Sequence, residues 1–199
     1  MLTGQTERKM KRLSAQLVTG LARTTPRDDD DGIFDPLCRV LGGLRGRPVV
    51  LKWTRFPPDT ASGVWVELPE MDLLAIRDDT ADVEHALVIW GHEVWHMMEG
   101  HCAAHTPVGS AAARSRSARG AAVEQVVGAL LAVPDARLGG VPGGDLKYAT
   151  RTDFHAAQEA EAERFGLEFA TEMRAYLRRP DLLQVTGRIE KSLGQGPWA

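Results

Sequence analysis

Residues 83–98 constrain this chain more than any other stretch. Ala86, Leu87, Val88, Ile89, Trp90, Val94, Trp95, Met97 and Met98 lie around nearly the whole circumference of a helix, so protein must enclose that helix on all sides. Within it stands His92-Glu93-Val94-Trp95-His96, an H-E-x-x-H motif. Residues four apart on a helix sit one turn above each other, so the two imidazoles face one point with Glu93 beside it. Polar groups inside a core need partners, and a bound metal ion supplies one. The arrangement points to a zinc hydrolase.

A hydrolytic zinc site takes three protein ligands and leaves a fourth position for water. His101 follows His96 by five residues, which does not fit the longer metzincin pattern, where Glu99 and Cys102 occupy the required Gly and His positions. His105 and His155 are lone histidines in loop or helix-start contexts. The remaining source is the segment 158–165, which opens a helix running to about Leu177. Phe165, Phe169, Met173 and Leu177 recur every four residues as a buried stripe, and Glu161 extends it one step back. A carboxylate on a core face needs a compensating charge, either the cation or a salt bridge to Arg151 or Arg164. Glu159 and Glu163 point to other sides and read as solvated.

At 199 residues and 43% hydrophobic content the chain can bury a sizeable core, and its length favours one domain over 1–199. A net charge of -3 carries no basic footprint for nucleic acid or anionic lipid, and the Arg8-Lys9-Lys11-Arg12 cluster reads as a solvated helix face. No apolar leader or spanning segment is evident, so neither export nor membrane insertion is expected and the cytoplasm is the expected compartment. Cys38 and Cys102 then read as buried thiols.

Around the central helix the order of elements predicts an α+β fold. Met10, Leu13, Leu17 and Leu21 mark an amphipathic helix, which with an acidic loop at 28–31 fills residues 1–32. A short helix over 34–44 ends at Gly42, Gly43 and Gly46. Strand-like runs follow at 48–56, 63–68 and 71–77, and their short links favour a small antiparallel three-stranded sheet packed on helices. Residues 106–122, rich in Ala, Ser and Arg, read as a flexible inserted loop. The apolar run 123–133 suits a helix packing either on the domain or on another subunit.

The chain resembles the ImmA/IrrE-like metallopeptidases, in particular an actinobacterial branch described as the toxin component of toxin-antitoxin systems. The resemblance spans roughly residues 34–177. It rests on Leu37-Cys38-Arg39, Leu44-Arg45-Gly46-Arg47-Pro48, Gly63-Val64-Trp65-Val66, His92-Glu93-Val94-Trp95-His96 with Gly100-His101, Arg151-Thr152-Asp153-Phe154, and the 158–163 segment, in that order. It implies a gluzincin-like fold in which His92, His96 and Glu161 hold Zn2+ and Glu93 is the catalytic general base. The implied substrate is a protein, commonly a helix-turn-helix repressor encoded nearby. By the same analogy the run Leu73 to Arg77 is expected to be an edge strand that receives extended substrate. Trp95 departs from the family pattern, which carries Gly before the second motif His. That departure, with the inserted loop, motivates the alternative of a non-catalytic interaction module retaining a structural metal.

Overall fold

A computed structural model describes residues 4–25, 32–58, 61–80, 82–101, 125–130, 147–149 and 156–178. In chain order the elements are α1 (Gly4–Arg23), α2 (Phe34–Arg45), β1 (Val49–Thr54), β2 (Gly63–Glu67), β3 (Asp72–Arg77), α3 (Val83–Glu99), a short β4 (Lys147–Ala149) and α4 (Ala156–Leu177). This is the α+β plan read from periodicity. The inserted-loop range 106–122 and the acidic loop 28–31 lie outside the described residues, as do His105, Cys102, Arg151 and His155. Among the described residues no helix is long and apolar enough to cross a membrane.

α1 buries Met10, Leu13, Leu17 and Leu21 along one stripe and turns its charges outward, with Lys9 Nζ 2.8 Å from Glu99 at the end of α3. Buried Ser14 donates a hydrogen bond to Glu172 of α4, so the helix is seated by polar as well as apolar contacts. α2 stops at Gly46, whose φ of 72° is the left-handed conformation glycine adopts without a Cβ clash.

The sheet differs from the expected antiparallel meander. Its strand order is β1-β3-β2-β4, with β1 parallel to β3 (Val50 opposite Leu73) and β2 antiparallel to both β3 (Trp65 opposite Leu74) and β4 (Val66 opposite Tyr148). The short-link argument holds only when consecutive strands are neighbours. Here β3 inserts between β1 and β2, and residues 55–71, which contain β2 itself, provide the long crossover a parallel pair requires.

β2 and β3 are buried on both faces, and strand alternation sends their side chains into two cores. Trp65, Leu74 and Ile76 join the main core with Leu51, α1, α2, α3 and α4, whereas Val64, Val66, Leu73 and Ala75 meet Phe56, Leu68, Val126 and Val127. Residues 125–130, from the apolar run 123–133, are therefore a helical segment covering the second face of this sheet.

Asp72 is the polar hub of the scaffold. It is 0% exposed, receives Arg45 Nε at 3.0 Å and Trp65 Nε1 at 3.0 Å, and has Arg47 Nε at 3.7 Å. The same arginines reach backbone carbonyls: Arg47 donates to Leu68 and Met71, and Arg45 to Met97 in the last turn of α3. One carboxylate thus ties the α2–β1 corner, the β2–β3 turn and the end of α3 together. Asp72→Ala removes the acceptor of Arg45 Nε and of a buried indole N–H and the countercharge of Arg47, and is expected to lower the unfolding free energy by about 3 kcal/mol. Chemical denaturation checks this, and an unchanged stability contradicts it.

Candidate metal centre

α3 starts at Asp82, whose carboxylate accepts the His85 backbone N–H at 2.7 Å. From Ala86 to Met97 nearly every residue is buried, as its all-round apolar pattern requires. Its closest neighbour is α4. A Cβ placed on Gly166 would lie 2.5 Å from the Val88 carbonyl oxygen, and one on Gly91 3.0 Å from Gly166 Cα, so the two helices meet backbone to backbone. Aromatic pairs brace the crossing, with Trp90 against Phe169 at 5.3 Å and Trp95 against Phe165 at 5.2 Å. The bulky Trp95 is accommodated inside the helix-helix interface.

Glu159 lies two helical turns before Gly166 and on the same side of α4, so this close crossing carries its carboxylate to the motif histidines. His92 Nε2 stands 3.1 Å from His96 Nε2; Glu159 Oε1 is 3.4 Å from His96 Nε2, and Glu159 Oε2 is 3.8 Å from His92 Nε2. Both imidazoles are enclosed, at 7% and 1% exposure. Tetrahedral zinc with bonds near 2.05 Å sets its ligand atoms about 3.3 Å apart, so these separations bracket what the ion needs. The donor chemistry, two imidazoles and a carboxylate, also fits.

His92 and His96 come together as the motif spacing requires. The carboxylate that joins them is Glu159, not the expected Glu161, which is half-buried and outside the group of ligand atoms. The buried face of α4 runs through Ala162, Phe165, Gly166, Phe169, Ala170 and Met173, a spacing of i, i+3, i+4, i+7, i+8 and i+11. A step of exactly four residues drifts about 40° around a helix of 3.6 residues per turn, so projecting back from Phe165 by four leaves the face that a step of three from Ala162 keeps.

Glu93 is 7% exposed and lies against the first residue of β2, where a Cβ on Gly63 would come within 3.0 Å of Glu93 Cγ and Oε1. Gly63 makes room for this carboxylate. The functional glycines 63, 91 and 166 carried one legible signal, glycine inside a strand or helix pattern, which marks close backbone approach. The expected substrate-receiving edge strand is corrected: β3 lies between β1 and β2, and its backbone groups are already paired on both sides. His101 stands beside the site, its Nδ1 3.2 Å from His96 Nδ1. Burial, and then the neighbouring His96, hold the His101 pKa below the ordinary histidine value.

No family model, curated protein or solved structure matches this chain.

The helix crossing is directly testable. Gly166→Ala drives a methyl group into the Val88 carbonyl and is expected to cost about 2 kcal/mol of stability and to weaken metal binding. Gly43→Ala, on an open face of α2, should instead stabilise by up to about 1 kcal/mol. Thermal or urea unfolding of both variants reads the contrast.

Proposed function

We propose that this chain is a zinc-dependent peptidase of gluzincin-like architecture, acting in the cytoplasm on a protein substrate, with a helix-turn-helix regulator as the candidate. The observation that carries the proposal is the convergence of His92, His96 and Glu159 ligand atoms within 4.8 Å of one another, beside the buried Glu93. The choice of regulator as substrate rests on the family resemblance alone.

In this reading His92, His96 and Glu159 hold the ion. Zinc, when bound, supplies Lewis acidity that acidifies water and polarises a scissile carbonyl. Glu93, held between α3 and Gly63, accepts the proton of the attacking water and delivers it to the departing amine. Its enclosure limits competing solvent. The surrounding apolar helix strengthens each of these electrostatic interactions by lowering the local dielectric.

Purified wild-type protein is expected to retain about one zinc per chain after dialysis, as a three-ligand site with an open fourth position does. Glu159→Gln should lose the metal, and Glu161→Gln should keep it. Elemental analysis decides between the two carboxylates, and a metal-free wild type rejects the proposal.

Glu93→Gln should retain zinc while losing about 100-fold or more of its cleavage of a co-encoded helix-turn-helix regulator. Equal cleavage by both proteins removes the catalytic role of Glu93. A biological effect that survives this substitution instead supports an interaction module that keeps the metal for structure.

A further inference from the structure

α3 ends in a way that bears on its own metal ligand. Gly100 takes a φ of 69°, and the chain turns back so that the His101 N–H bonds the His96 carbonyl at 2.9 Å and the Gly100 N–H reaches the Met97 carbonyl at 3.4 Å. This is the Schellman termination, in which the second residue past the helix end packs its side chain on the residue five positions earlier. In most proteins that contact is apolar. Here it joins two imidazoles, with ring centroids 5.4 Å apart, planes at 64° and the two Nδ1 atoms at 3.2 Å.

We propose that His101 is a positioning residue for the metal site, accepting a hydrogen bond from His96 Nδ1 and so fixing the ring orientation and tautomer of that ligand. The inference rests on the metal-site reading above. His96 turns Nε2 toward His92 and Glu159 and Nδ1 toward His101. A histidine that ligates through Nε2 carries its proton on Nδ1, and that proton requires an acceptor. A neutral His101 with its own proton on Nε2 offers the Nδ1 lone pair for this bond. Because Gly100 and His101 follow directly from the helix, the capping hydrogen bonds that stop α3 also aim the acceptor. His101 adds no negative charge, so His92, His96 and Glu159 with a divalent ion retain a net charge of about +1.

The test compares wild type, His101→Phe and His101→Asn. Phenylalanine keeps the ring volume without the acceptor, whereas asparagine carries Oδ1 on Cγ where histidine carries Nδ1. Zinc affinity is measured by competition with a chromophoric chelator, and ligand geometry by the visible spectrum of the Co2+ form. His101→Phe is expected to raise the zinc dissociation constant by about 10- to 100-fold and shift the Co2+ bands, and His101→Asn to recover most of both, with the melting temperatures of the metal-free proteins unchanged. Equal affinities and spectra for wild type and His101→Phe overturn the role, as does failure of His101→Asn to recover them. A wild type that binds neither metal rejects the site itself and this role with it.

Discussion

The backbone contact of α3 with α4 at Gly91 and Gly166 is the constraint on which the rest of the structure depends. Two helices carrying side chains at their crossing stand 8–10 Å apart, and the smaller side chains permit the shorter distance. Glycine on both sides brings the axes close enough for a glutamate side chain from one helix to reach imidazoles on the other. Trp90, Trp95, Phe165 and Phe169 then fill the space on either side, so the approach is held by large aromatic burial. The same crossing that buries the apolar surface of α3 therefore builds its polar site.

Several polar groups in this interior are met within the protein, although the indole N–H groups of Trp90 and Trp95 have no acceptor among the described residues. Asp72 finds two guanidinium groups and an indole N–H; His92 and His96 find each other, Glu159 and His101; Glu93 finds a slot beside Gly63. Each set joins elements distant in sequence, which gives the buried polar groups a second consequence. They specify how the sheet, α2 and α4 dock on α3, where apolar packing alone tolerates alternatives.

Periodic elements were legible because their signal is local. The stripe of α1 and the all-round apolar α3 each state their burial in consecutive residues. Strand order was not legible, since β1 and β3 carry nothing in their own residues that announces a parallel pairing across a connection containing β2. The carboxylate beside the two imidazoles was placed two residues away for a similarly geometric reason: Phe165, Phe169 and Met173 fit a step of four, and only the packed helix adds Ala162, Gly166 and Ala170 and so shows which line faces α3. Asp72 escaped notice, and His101 was weighed only as a ligand and not as a neighbour of His96, because neither belongs to a periodic pattern.

By itself the sequence determined the α+β composition, the enclosure of α3 and the meeting of His92 with His96, because helix periodicity and apolar patterning act over a few residues and survive without knowledge of the neighbours. Tertiary structure alone decided that β3 lies in the middle of a mixed sheet, that Glu159 is the carboxylate beside those imidazoles, and that His101 stands behind one of them. These depend on how closely two backbones approach and in what rotation, and such distances are set by the sum of all side chains at the crossing.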